Sequence, residues 1–470
     1  MNRGPGDVPG PDRPAILLLA FAAAILFARF WEADLYDDPL LYAGVAREMV
    51  RSGDWWTPHW GPDPYFKKPP LIFWLTALNF TLFGVSRATA MFWSAALAAA
   101  SVPLTYCLAR RWFGEWAAIW AGIILATTPR FVKDSISLRL DSPLTFFVLA
   151  AVWAAVAASA GRPRLHLVAG ACAALAILTK GPFGLLALTP YALRPAAGWW
   201  RHRHAWAGVA LALLLPGLWY GSMILLHGPV FARTAFVSEG VGRVVQNLGD
   251  SDRWAYLRMM AQYYWPWLPF LVAGGWMYGL QLRREGLRWE GAFPALLAGA
   301  LGSVLILVQT RYYRYVQPLY PFLAMVAALP CARLLAERRR RWVLRAVGGA
   351  AVAISVLTSV LPVRLHRSRN AGIEAAARDL ARTPGAEVAV SPEAADHNIL
   401  SALWFHGGFL PREWKPHFFQ AAPPQGRCFR LLYRPEEREG LAEDLTLTPE
   451  RSLRNDRTDY VLATACRRRG

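Results

Sequence analysis

Apolar stretches close to twenty residues long recur along this chain, and short arginine-rich segments separate them. A bilayer core is crossed by about 20 mostly apolar residues, within a range of roughly 17–25. Inside lipid only helices and closed barrels satisfy their own backbone groups. Runs of this length therefore point to an all-α polytopic membrane domain. Eleven or so are legible, near 14–31, 88–109, 116–130, 142–160, 165–180, 182–194, 205–227, 263–282, 291–309, 314–336 and 342–362. Arg3 and Arg13 precede the first run as they would in a signal peptide. No small-residue cleavage site follows Phe27 to Trp31, so it reads as an uncleaved first span.

Composition supports this and excludes much else. Of 470 residues, 55% are apolar and only 18% charged; a soluble chain carries about 25% charged residues. The formal net charge is nevertheless +19. Apolar and basic together exclude most soluble enzymes and a disordered basic tail. The charge alone would suit nucleic acid, but the basic residues sit between apolar runs and form no stripe. Five Cys without a C-x-x-C signal neither a zinc site nor a redox pair.

The basic clusters also orient the chain. Arg110-Arg111, Arg162 with Arg164, Arg194 to Arg203, Arg283-Arg284 and Glu337 to Arg341 alternate with less basic connections. Cytoplasmic loops carry the excess of Lys and Arg. Placing all five inside puts the N-terminus in the cytoplasm and residues 364–470 outside. It also puts 32–87, 131–141, 228–262 and 310–314 on the outer face. The apolar segment 71–84 is short for a span and reads as an interfacial or re-entrant helix. The division expected is a membrane domain over 1–363, with a large outer loop at 32–87, and a small soluble α/β domain over 364–470. In the latter, Ala371 to Leu380 reads as a helix. Glu387 to Val390, Cys428 to Tyr433 and Tyr460 to Ala463 read as strands. Cys428 and Cys466 either pair, as an oxidising compartment permits, or stay as two thiols.

The outer connections hold the unusual residues. Asp38 before Pro39 reads as a helix start, with Asp38 as N-cap and Pro39 at the first helical position. Tyr42, four residues on, shares the face of Asp38. A cap does not exclude catalysis. Lys67 and Lys68 precede Pro69-Pro70; they either snorkel to lipid phosphate or clamp a substrate phosphate. Arg139 and Asp141 stand at the mouth of an apolar helix, where Asp141 could equally cap it. Arg311 to Tyr315 packs two Arg and three Tyr, an aromatic belt or a polyanion site. Lys180 precedes a Gly-Pro break that could shape a cavity. The stretch 228–262 adds Glu239, Arg243 and further charges. Two function classes fit such a face: a membrane enzyme, or a transporter or flippase of a lipid-linked or small polar substrate. Transporters tend to show internal repeats and midplane charges, and neither is visible here.

Several segments in order carry a family resemblance: Asp38-Pro39-Leu40-Leu41-Tyr42, Arg47-Glu48-Met49, Gly53-Asp54-Trp55, Tyr65-Phe66-Lys67-Lys68-Pro69-Pro70-Leu71, Phe113-Gly114, Arg139-Leu140-Asp141, Thr179-Lys180-Gly181-Pro182 and the Tyr-rich stretch ending at Pro318. Over roughly 14–340 the chain resembles the polyprenyl-phosphate-sugar-dependent glycosyltransferases of the GT-C fold. These include the protein O-mannosyltransferases and the lipid A aminoarabinose transferases. The resemblance implies transfer of one sugar from an undecaprenyl-phosphate donor to an envelope acceptor: lipid A or lipopolysaccharide, another glycan, or a protein. It implies catalytic roles for Asp38 and Asp141. It implies donor-phosphate or substrate contacts for Lys68, Tyr42, Arg139, Arg311, Tyr315 and Lys67. The chain departs from the aminoarabinose branch at Pro39, Leu41 and Lys67, which replace an acid, an Arg and a Glu. It also has no His near Asp250 to Tyr256. These departures imply no required metal or other cofactor. A Lys at position 67 suits a neutral or acidic sugar better than an amino sugar.

Overall fold

The computed structural model describes residues 12–28, 30–193, 198–245, 252, 254–285, 289–307, 312–335, 337–360, 371–382, 388–391, 397–407, 412–413, 428–439, 441, 445–455 and 458–467. The chain divides into two compact units. The first comprises Met1–Phe30, Phe66–Leu75 and Met91–Val363; the second comprises Trp31–Tyr65, Thr76–Ala90 and Arg364–Gly470.

The elements run in order as follows. Helix α1 is Arg13–Leu26 and α2 is Asp38–Ser52; the short strands β1 (His59–Trp60) and β2 (Asp63–Pro64) pair antiparallel. Then come α3 (Leu71–Phe83), α4 (Arg87–Ala126), α5 (Pro129–Ser135), α6 (Asp141–Ser159), α7 (Leu165–Lys180) and α8 (Thr189–Leu193). These lead to α9 (Arg203–Ala232), α10 (Gly242–Val245), α11 (Ala255–Tyr263), α12 (Leu268–Glu285), α13 (Trp289–Leu307), α14 (Tyr320–Leu334) and α15 (Arg340–Val360). The last part holds α16 (Ala371–Ala381), β3 (Val388–Val390), α17 (His397–Ala402), β4 (Arg412–Glu413), β5 (Cys428–Tyr433), β6 (Leu445–Asn455) and β7 (Thr458–Arg467).

Among the described residues, seven helical stretches are long and apolar enough to cross a membrane. The sequence suggested about eleven. Two of the seven, Arg87–Ala126 and Leu165–Leu193, each hold two of the apolar runs. At about 1.5 Å per residue the 40-residue α4 is about twice as long as a bilayer core, and its helix breaks at Gly114, where φ is 81°. Helix α3, with 13 residues, is too short to span.

In the first unit α1 packs on α15, α7 lies between α6 and α9, and α12 packs on α14. Small residues allow the close approach: a Cβ on Gly170 of α7 would meet the Gly208 carbonyl of α9 at 2.0 Å. Lipid offers helices no hydrophobic drive toward each other, so this backbone proximity and its dispersion contacts hold them. Polar residues at one end are paired. Asp12 caps α1 and accepts from Tyr106 and Arg110, while Glu115 accepts from Arg340.

In the second unit the sheet order is β4-β3-β5-β7-β6. Strand β3 runs parallel to β4 and β5, and the other pairings are antiparallel. Cys428 and Cys466 face each other across β5 and β7 and form a disulfide. Strand β6 was not read from the sequence. It is an edge strand with Pro449 inside it and a register shift beside that proline, so its hydrophobic alternation is broken. Helix α16 buries Ile373, Ala376, Ala377 and Leu380 at helical spacing.

The same unit contains a charge cluster around the buried Glu374. Arg87 pairs with Glu374 and lies 3.9 Å from Asp34; Arg378 also pairs with Glu374, and Arg47 donates to the Phe405 carbonyl. These contacts tie α2 and the start of α4 to α16 and to the π-helical turn Leu403–Gly407. The His406 side chain is 4% exposed with Nδ1 3.7 Å from Glu374. Its burial, with Arg87, Arg378 and Arg47 nearby, pushes its pKa down to about 3; these outweigh the carboxylate.

An ordinary histidine titrates near pH 6.5, so on acidification the unfolded chain binds a proton that folded His406 refuses. The stability this gives is complete above about pH 6.5 and declines as pH falls toward 3. Amide exchange at α16 should therefore accelerate progressively below pH 6.5. The variant His406→Gln should flatten that dependence, and an unchanged profile would assign it to the carboxylates instead.

Candidate active site

Helix α2 starts one residue earlier than its cap signal suggested. Asp38 is its first residue, and Asp37 occupies the cap position with φ 64°. Its carbonyl accepts the first helical bonds, from Leu40 and Leu41. Asp37 is the one described non-glycine residue with positive φ. Strain of that kind persists where surrounding structure enforces it. Pro39 fixes the first turn and Gly53 closes the helix in the left-handed region. Asp38 is half-buried and Tyr42 is buried on the same helix, both in the second unit.

The other described candidates belong to the first unit. Asp141 does not cap α6 but opens it, since Leu140 holds the cap position. Asp141 is 3% exposed and forms a salt bridge with Lys180 at the end of α7. Gly181, with φ 59°, ends that helix and lets the chain turn directly after Lys180. The Lys180 ammonium lies 4.4 Å from the Tyr315 ring centroid and 5.3 Å from that of Phe183. One cation thus faces a carboxylate and two ring faces.

Tyr315 is held by a polar framework behind it. The Gln317 amide donates to Ser142 at 2.7 Å and to Ser135 at 3.3 Å. Two residues before Tyr315, the ring of Tyr313 carries the Arg130 guanidinium, 3.3 Å from its centroid. Arg130 is itself paired with buried Asp134 at 2.7 Å. Burial pushes the Asp134 carboxyl up, and the Arg130 charge opposes that shift. Arg139 is fixed through its backbone, which exchanges hydrogen bonds with Ser94, and its charge acts on Asp134. Arg139 thus acts on Asp134 and does not join the Lys180 cluster. Arg311 lies outside the described residues.

Lys68 and Lys180 line one cleft, together with Tyr220, Tyr315, Phe183 and Glu239. Lys67 is exposed on its rim. Lys68 forms a salt bridge with Glu239, and both side chains are more than four-fifths buried. Sequence reasoning singled out Lys68 and Tyr315 but assigned no role to Glu239 and only a shaping role to the segment at Lys180. The signal was weak: Glu239 lies 171 residues from Lys68 and Lys180 lies 39 from Asp141. Chemically, the cleft presents ammonium groups and aromatic faces in a partly desolvated setting, which suits an anion carrying an apolar or sugar moiety. Among the described residues, no three His, Cys, Asp or Glu side chains converge as a metal site would require.

Comparison with known proteins extends this. Residues 67–220 match the family described as dolichyl-phosphate-mannose-protein mannosyltransferase. An undecaprenyl phosphate-α-4-amino-4-deoxy-L-arabinose arabinosyl transferase of Pseudomonas aeruginosa is 29% identical over 278 residues, covering 56% of this chain and 50% of that protein. An uncharacterised Aquifex aeolicus protein is 27% identical over 295 residues, covering 61% and 57%. The chain spans about half the length of the curated relatives it matches. ArnT from Cupriavidus metallidurans, solved with undecaprenyl phosphate bound, matches with a TM-score of 0.75 at 20% identity, over 96% of this chain and 97% of that one. The Archaeoglobus fulgidus oligosaccharyltransferase AglB matches with a TM-score of 0.56 at 13% identity, over 90% and 70%. The fold is therefore the GT-C fold expected from the sequence. The chain is a multi-pass protein of the bacterial inner membrane, similar over part of its length to the mannosyltransferases and to the aminoarabinose transferases.

Proposed function

We propose that this protein transfers a single sugar from an undecaprenyl-phosphate-linked donor to an envelope acceptor (lipid A or lipopolysaccharide, another glycan, or a protein) at the periplasmic face. The observation that carries this reading is the cationic cleft, with Lys68, Lys180 and Tyr315 on one wall system. It lies in a chain whose relatives are named for an undecaprenyl phosphate donor and whose structural neighbour holds undecaprenyl phosphate. Lys68 holds the donor phosphate, and Tyr315 and Lys180 shape its surroundings. The bond between the sugar C1 and the phosphate oxygen breaks, and the phosphate leaves with the electron pair. Lys68 stabilises that developing charge. The acceptor oxygen forms the new bond to C1. For a hydroxyl acceptor, Asp38 takes its proton; for a phosphate acceptor, Asp38 orients it.

Asp141 acts through Lys180, holding the ammonium in place. Tyr42 supports Asp38 from the same helix, and Arg139 and Arg311 add positive charge on the outer face. Lys67, exposed at the cleft rim, disfavours a cationic amino sugar and suits a neutral or acidic one. In this reading residues 1–363 form the transferase domain with its catalytic loop at 32–87. Residues 364–470 form a periplasmic domain whose disulfide fits that compartment.

Three measurements test it. In membranes supplied with donor, Asp38→Asn should insert normally and lose transfer by about 10²–10⁴-fold; retained transfer would sink the assignment. Lys180→Met leaves Asp141 buried without its cation, which should cost about 3–5 kcal/mol in unfolding experiments. The double variant Lys180→Met/Asp141→Leu should recover most of that stability and still lack transfer. Recovered transfer would make the pair purely structural. A compartment-sensitive reporter fused after residue 370 should read periplasmic, and a cytoplasmic signal would invert the topology.

A further inference from the structure

The cleft around Lys68 already contains an anion belonging to the chain. Glu239 is bonded to Lys68, with side chains 14% and 18% exposed. It sits in a nine-residue π-helical stretch, Arg233–Val241, that continues α9 beyond a break at Gly228, where φ is 56°. Single π turns are uncommon and recur at functional sites. Aromatic contacts hold this stretch against the cleft wall: Phe236 lies 5.5 Å from Tyr220, and Tyr220 lies 6.0 Å from Phe231. Phe231 in turn packs 5.3 Å from Phe66, two residues before Lys68. The π stretch and the lysine segment thus share one aromatic cluster, with the carboxylate and ammonium meeting beside it.

If Lys68 binds the donor phosphate, that phosphate competes with Glu239 for the ammonium. We infer that Glu239 is a placeholder anion: it fills the phosphate position while the site is empty and exchanges with the lipid phosphate during each turnover. This rests on the reading of Lys68 given above. A carboxylate and a phosphodiester each carry one negative charge, so the exchange keeps Lys68 neutralised throughout. The lipid phosphate left after transfer is a monoester with about −1.5 to −2 charge at pH 7, and it holds an ammonium more strongly than the donor does. Return of Glu239 to Lys68 opposes that retention. Glu239 therefore raises the donor concentration the enzyme needs and speeds release of the lipid phosphate. It is a positioning residue that sets affinity and release without touching the reacting carbon.

The test uses the full-length protein in lipid nanodiscs with undecaprenyl phosphate as the probe. Glu239→Gln and Glu239→Ala should each bind it about tenfold more tightly, in line with removal of one competing charged hydrogen bond. In transfer assays both should lower the donor KM and also lower kcat, because release becomes slow. A gain in affinity cannot come from a damaged fold, so a structural role does not mimic this result. Unchanged or weaker binding in both variants, with melting temperatures near that of the wild type, would overturn the placeholder role. Lys68→Ala separates the two readings. Its loss of probe binding supports the phosphate site, whereas wild-type binding by Lys68→Ala overturns that site and the inference with it.

Discussion

A charge at the end of an apolar helix needs a partner, and in the first unit that requirement organises the site. Lys180 ends α7 and Asp141 opens α6, and each alone would be costly in a low-dielectric setting. Paired, they pin two helix ends together. The Gly181 turn follows at once, and Tyr315 and Phe183 close over the ammonium. The cleft wall is thus built from the groups that neutralise one another. Lys68 and Glu239 repeat the arrangement in the same cleft. In the function proposed above, a donor phosphate would enter a site whose cations are already placed, so little ordering would remain to be done on binding.

The second unit applies the same rule to a different end. Glu374 of α16 gathers Arg87 and Arg378, while Arg47 reaches the Phe405 carbonyl. These contacts fix α2, and with it Asp38 and Tyr42, onto elements that come more than 300 residues later in the chain. The C-terminal region is thereby part of the support of the segment that carries α2, not an appendage. The pH sensitivity of His406 belongs to this support. So does the disulfide between β5 and β7, which fixes the sheet behind α16.

Much of this was legible in the sequence, for physical reasons that differ by feature. Apolar length reported the helices, because the bilayer imposes a fixed thickness. Two of the apolar runs lie on either side of the break at Gly114, within one 40-residue stretch. Asp38, Lys68 and Asp141 stood out as charges against apolar surroundings. The cap of α2 was misplaced by one residue, because both Asp37 and Asp38 carry a capping side chain and only the backbone, with φ 64° at Asp37, distinguishes them. Strand β6 was missed because Pro449 and neighbouring charges hide its alternation.

The charge pairings lie beyond sequence reading. Composition and spacing determined that this chain crosses a membrane repeatedly and that the connections between its apolar runs hold isolated charges, and the order of its motifs resembles a glycosyltransferase family. Local physics decides such features, since hydrophobic length and turn chemistry act over a few residues. Only the tertiary structure decided that Lys180 belongs to Asp141, that Lys68 belongs to Glu239, and that Arg87 belongs to Glu374. Those partners are separated by 39 to nearly 300 residues. Electrostatic attraction between them acts only after helix packing, through contacts as close as Gly170 against Gly208, has brought their elements together.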